Sequence, residues 1–198
     1  MKCMTEIKIL DVNEARGRKI RLSDYTHIRA FHACRAEDEH IFRTQGLKPY
    51  TKDEALEVAI CKLEHKYVSN KAIETEFNTL WESNTLTKVW LMLETTEFLS
   101  MSTHYLIYGS EFLNTLAMRL GCRDRLKEFG KPMIVACNVP ITDIQPLWLR
   151  NLEQDIKNKN TANRSIAVNM VEAENVFDII YPTGWGRNPY SLRMCRIE

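Results

Sequence analysis

The stretch Ile28-Arg29-Ala30-Phe31-His32-Ala33-Cys34-Arg35-Ala36-Glu37-Asp38-Glu39, with Gly46-Leu47-Lys48-Pro49 after it, decides how the rest of the chain is read. Ile28, Ala30, Phe31 and Ala33 form a short strand-like run. Ala36-Glu37-Asp38-Glu39 then begins a helix with its acids in the first turn, where the helix dipole favours them, and Gly46 is the expected C-terminal stop. A strand feeding directly into a capped helix is the unit to which the other segments attach.

Downstream, Thr51-Lys52-Asp53-Glu54 is a capping box, and Ala55, Leu56, Ala59, Ile60 and Leu63 recur on one helical face. A second amphipathic helix starts near Ser69-Asn70 and places Ile73, Phe77, Leu80 and Trp81 on its buried stripe. Val89-Trp90-Leu91-Met92-Leu93 is too short for a helix and continuously apolar, which predicts a buried, central strand. Tyr105-Leu106-Ile107-Tyr108 reads as a turn or strand end that feeds a helix capped at Ser110, with Phe112, Leu113, Leu116, Ala117 and Leu120 at helical period. Met133 to Cys137 is the clearest strand, closed by Pro140, and Pro146 opens a helix with Leu152 and Ile156 inward. Residues 157–164 and 182–189 read as loops by composition, and strand-like runs surround Val168, Phe177 and Arg193. Helices come early and strands mostly late, so the fold class is α+β: one domain over 1–198, with a helical insertion at about 51–83.

The balance of 27 Lys+Arg against 26 Asp+Glu gives a net charge of +1, so the chain as a whole has no electrostatic pull toward nucleic acid or an anionic membrane. Cysteines at 3, 34, 61, 122, 137 and 195 show no Cys-x-x-Cys pair, which predicts reduced thiols and a cytoplasmic setting. No apolar run approaches the roughly 20 residues that span a bilayer. The five histidines never fall three or four apart on one helix, so no metal is assigned. Glycine-rich dinucleotide and phosphate loops are absent from the sequence.

Three groups carry candidate chemistry. His32 is placed to hydrogen-bond a ribose hydroxyl, against the plainer reading of a satisfied structural histidine. Tyr105, Tyr108, Ser110 and Glu111 form the second group: an aromatic ring stacks on a flat ligand, and an acid stabilises developing positive charge, although the helix dipole alone also favours Glu111. Glu172 and Glu174, two apart, project to one face if they lie on a strand, and a solvated turn pair is the commoner meaning. Arg29, Arg35, Arg43 and Arg187 are candidates to hold a pyrophosphate, Arg35 first among them. Cys34 beside His32 invites a nucleophile reading, which the missing oxyanion turn weakens.

Taken together, Phe31 to Arg35, Gly46 to Pro49, Tyr105 to Ala117 and Met133 to Pro140 resemble the ADP-ribosyltransferase superfamily of the histidine, tyrosine, glutamate type. The similar segments cover about a third of the chain. The resemblance implies a split antiparallel sheet with an added helical segment, NAD bound as a substrate, and transfer of ADP-ribose to a protein or nucleic-acid acceptor with release of nicotinamide, as in toxin-like members. It implies that His32 grips ribose, that Tyr108 or Tyr105 stacks on nicotinamide, and that the catalytic glutamate is Glu174, Glu172 or Glu111. The alternative is a non-enzymatic α+β module that binds a protein partner, with the helices at 51–83 as its docking face. The two readings separate on one point: the enzyme needs His32, Tyr108 and one of these carboxylates in a single pocket.

Overall fold

The computed structural model describes residues 6–82 and 87–197, so Cys3 and the last residue of the 51–83 helical segment lie outside the described residues. In chain order, β1 (Ile9–Leu10) and α1 (Val12–Ala15) lead into β2 (His27–Ala36), followed by α2 (His40–Gln45), α3 (Lys52–Leu63) and α4 (Asn70–Glu82). Next come β3 (Val89–Met92), α5 (Glu97–Ser100), α6 (His104–Tyr108), α7 (Glu111–Arg119) and β4 (Lys131–Pro140). The chain ends with α8 (Pro146–Leu149), α9 (Leu152–Lys157), β5 (Ser165–Val168), β6 (Val176–Ile180) and the hairpin β7 (Gly184–Arg187) and β8 (Met194–Ile197).

The sheet runs β5-β3-β2-β4-β6 and is antiparallel along this path. β4 pairs with all ten residues of β2, from His27↔Pro140 to Ala36↔Lys131. The other edge of β2 is therefore shared: β1 pairs with it in parallel at His27 and Ile28, and β3 touches it in register only at Phe31↔Met92.

Side chains alternate across a strand, so β2 and β4 feed two cores. Phe31, Ala33, Ile134 and Ala136 face a core completed by buried residues of α3, α4, α6 and α7, including Phe77, Leu106 and Leu116. Ile28, Ala30, Met133, Val135, Cys137 and Val139 face the other, completed by Val12, Ala15, Leu152 and Ile156. These are called below the α6 face and the α9 face. Burial on both sides explains the continuous apolar run from Met133 to Cys137 in β4. On the α6 face Phe77 stacks on Trp81 at 5.3 Å and meets the edge of Phe112 at 5.2 Å, which joins α4 to α7.

Several sequence expectations meet local chemistry here. The Thr51 and Glu54 capping box is complete, and the Ser110 hydroxyl accepts from the Leu113 N–H at the start of α7. Gly46 ends α2 at φ 70°, and a Cβ there would lie 1.9 Å from the Val171 carbonyl oxygen, so the position needs glycine twice over. The helix expected from Ala36 begins only at His40, because β4 extends the ladder through Ala36 and Glu37 to Glu39 become its connection. The Pro146 helix is two pieces, interrupted at Asn151 in the left-handed conformation. Residues 105–108 are helical rather than a strand end, and part of the 182–189 loop is strand β7, which pairs with β8.

Candidate functional site

His32 occupies the position on β2 whose neighbours on the same face are Ala30 and Cys34, so alternation directs it to the α9 face. Its Nδ1 lies 3.0 Å from the Trp90 carbonyl oxygen. β2 and β3 share a single register pair at this point, and the imidazole supplies to Trp90 the donor that the ladder does not. Burial pushes the imidazole pKa below its ordinary 6.5 against the opposing effect of the Trp90 bond. A neutral ring with its proton on Nδ1 fits that single acceptor. Cys34, on the same face, is pushed up to about 12 by burial and is therefore a poor nucleophile.

Arg35 points the other way, to the α6 face, and its hydrogen bonds all go to backbone carbonyls. Its Nε donates to the Phe129 carbonyl at 3.1 Å, one Nη to Leu106 at 3.1 Å, and the other Nη to Lys127 at 3.1 Å and Gly130 at 2.7 Å. The guanidinium thus ties the end of β2 to α6 and to the turn before β4. Four of its five N–H donors are thus committed to backbone, which speaks against its expected role as the pyrophosphate-binding residue.

Glu172 and Glu174 are exposed and belong to a 3-10 turn, Ala173–Asn175 with Glu172 as its cap, rather than to a strand. The turn packs beside α2, where Leu47 bridges to Val171. No hydrogen bond or ion pair links either carboxylate to His32, Tyr105 or Tyr108 among the described residues.

The second group does come together, and with partners that the sequence did not single out. Glu111, in the first turn of α7, lies 2.8 Å from the His104 Nε2 through one oxygen, and its other oxygen accepts from the Tyr190 hydroxyl at 3.2 Å. The Asn114 amide donates to that same hydroxyl at 2.8 Å, and the Asn188 amide donates to the Tyr108 hydroxyl at 2.8 Å. The His104 ring packs 4.1 Å from Tyr105 and 5.7 Å from Tyr190. The Arg123 guanidinium sits 4.5 Å from the Tyr190 ring centroid and 5.6 Å from that of Tyr108. Residues 188–190, in the turn of the C-terminal hairpin, therefore close over α6 and α7.

The charge state of the cluster follows from these contacts. The hydrogen bond from His104, aided by that from Tyr190, holds the Glu111 carboxyl below its ordinary 4.5 despite partial burial. Burial and the Glu111 carboxylate push the Tyr190 phenol up to about 12, so it stays protonated and donates. Burial, with Glu111 adding to it, also raises Tyr105. At neutral pH the cluster holds an ionised carboxylate, fixed by an imidazole and a phenol and half open to solvent.

Buried polar atoms without a hydrogen-bond partner are concentrated here. Of five such side-chain atoms among the described residues, four belong to this region: Thr103 Oγ1, His104 Nδ1, Asn114 Oδ1 and Arg123 Nε. The fifth, Arg164 Nε, belongs to a guanidinium whose other nitrogens bind Trp148, Arg150 and Asp155. Unmade hydrogen bonds of this kind cost stability, and four of the five gather around Glu111.

Sequence reasoning missed His104, Asn114, Arg123, Asn188 and Tyr190. The local signal for the first was slight: His104 precedes Glu111 by only seven residues, but the break at Gly109 and Ser110 between α6 and α7, not a shared helical face, brings them together. Tyr190 and Asn188 are about 80 residues distant in sequence and reach the site only through the hairpin. No group of three or more His, Cys, Asp or Glu side chains arranged for a metal occurs among the described residues. No described helix is long and apolar enough to cross a membrane.

No protein-family profile, no curated protein and no solved structure matches the chain. The functional reading therefore rests on the geometry of these residues.

Proposed function

We propose that the Glu111 cluster processes NAD, transferring ADP-ribose to an acceptor on a protein or nucleic acid and releasing nicotinamide, in an ADP-ribosyltransferase-like fold. The observation that carries this reading is the ionised Glu111 carboxylate, held by His104 and Tyr190, with the Tyr105 ring packed against His104. A fixed carboxylate stabilises the positive charge that develops on the ribose as the bond from its anomeric carbon to nicotinamide breaks. The electron pair of that bond leaves with nicotinamide, the acceptor's nucleophile forms the new bond to the anomeric carbon, and its proton is taken up by the carboxylate. The half-buried ring of Tyr105 supplies the flat apolar surface on which the nicotinamide ring packs, Tyr108 being buried in the core. In this reading Glu111 is the catalytic glutamate in place of Glu174, and the histidine beside the carboxylate is His104 in place of His32.

A second reading is favoured by one observation: His32 lies on the α9 face and Tyr108 in the α6-face core, so the three residues that the resemblance requires in one pocket are divided by the sheet. In that reading the chain is a non-enzymatic module, His32 and Glu111 serve structure, and a protein partner docks on the helical side.

Incubation of the purified protein with NAD, alone and with cell extract, separates the two. The transferase reading expects release of nicotinamide, lost by at least about a hundredfold in Glu111→Gln and retained in Glu174→Gln. Intact NAD under both conditions, with no thermal shift on adding NAD, leaves the interaction module.

A further inference from the structure

The segment after α7 carries three cations, Arg123, Arg125 and Lys127, and they are not equivalent. Arg125 lies 3.5 Å from Glu128 and donates to the Lys62 carbonyl, and Lys127 lies 2.6 Å from Asp124. Arg123 has no carboxylate or carbonyl partner among the described residues, and its Nε is buried and unbonded. What surrounds it is aromatic: its guanidinium packs over Tyr190 at 4.5 Å and Tyr108 at 5.6 Å. Tyrosine faces attract a cation without neutralising it, and they orient the guanidinium plane while its remaining N–H groups stay available. Tyr190 joins the two ends of the site, with its ring on Arg123 and its hydroxyl on Glu111. One phenol ring lies between the guanidinium of Arg123 and the carboxylate of Glu111.

We propose that Arg123 is the anion-binding residue of the Glu111 site and that it holds a phosphate or pyrophosphate group of the ligand. The proposal deepens the reading of the site as one for NAD and rests on it for the ligand's position. It also explains the contrast with Arg35, whose guanidinium is consumed by four backbone carbonyls. A planar guanidinium matches phosphate oxygens in two-pronged fashion, which a lysine at the same place does not reproduce.

Calorimetric titration with ADP-ribose, inorganic pyrophosphate and adenosine tests this on the full chain. The wild type is expected to bind ADP-ribose and pyrophosphate, more weakly as salt is raised. Arg123→Gln is expected to weaken both by about tenfold or more, Arg123→Lys by less, and neither to alter adenosine. Unchanged affinity in Arg123→Gln, or no binding of either phosphate compound by the wild type at millimolar concentration, overturns the proposal. Should Arg123→Gln fail to fold, as judged by its thermal melt, the Lys variant and the salt dependence decide: wild-type-like affinity in the former together with salt-insensitive binding overturns it. Loss of ADP-ribose binding in Arg123→Gln with no nicotinamide released by the wild type keeps the anion site and removes the transferase. Nicotinamide release with an unchanged KM in Arg123→Gln does the reverse.

Discussion

The two faces of the central sheet are built to different standards. On the α9 face most buried polar groups are matched: the Thr161 hydroxyl donates to the buried Glu94 carboxylate, the Arg164 guanidinium reaches two carbonyls and Asp155 with only its Nε unbonded, and His32 meets the Trp90 carbonyl. On the α6 face the apolar packing is as dense, with Phe77, Leu106 and Leu116 fully buried, yet four buried polar atoms beside it have no partner. Each such unmade hydrogen bond costs stability. The difference teaches where to look for function. The histidine in the most legible motif meets a backbone carbonyl of the neighbouring strand, and the unpaired polar atoms gather around Glu111, where the proposed chemistry is placed.

The comparison breaks most visibly in stability. Arg35→Met removes four donors from backbone carbonyls and is expected to destabilise the fold on the order of 3 kcal/mol in denaturant titration, with ADP-ribose affinity of the folded fraction unchanged. His32→Ala leaves the Trp90 carbonyl without its donor and is expected to cost about 1–3 kcal/mol, again with no change in ligand binding. If His32→Ala were as stable as wild type but lost NAD binding, the assignment of the two faces would be reversed.

A smaller effect sharpens the account of Glu111. Its carboxyl titrates lower in the folded chain than its ordinary 4.5 because His104 and Tyr190 hydrogen-bond the charged form. The stabilisation is therefore fully present above pH 4.5 and is lost as pH falls through the lower folded value. Acid-unfolding curves of Glu111→Gln should run closer to flat across that window than those of wild type. Superimposable acid limbs would mean that the contact with His104 adds nothing to the charged form.

Much of the scaffold is readable from local chemistry, and the reasons for the remainder are physical. The capping box at Thr51, the Ser110 cap, the Gly46 stop and the two amphipathic helices α3 and α4 depend on neighbours within a few residues, so the sequence displays them directly. Two-sided burial made β4 recognisable as a strand, whereas β3 is buried on one side, with Trp90 exposed on the other. Strand ends were less legible, because whether Ala36 is strand or helix depends on Lys131 across the ladder. The site divided in the same way. Tyr105, Tyr108 and Glu111 were found because they are close in sequence, whereas Asn188 and Tyr190 join them through a hairpin whose pairing no local pattern announces. The face to which His32 points follows from its register against Ala30 and Val135, information that a motif of five residues does not contain.

The central claim is that ligand chemistry belongs to the α6 face and not to His32. Hydrogen exchange of the backbone amides with and without NAD tests it most directly. The account predicts protection confined to residues 103–125 and 188–193, with β2 and β3 unchanged. Protection centred on residues 28–34 and 89–92, or none at any NAD concentration, would contradict it.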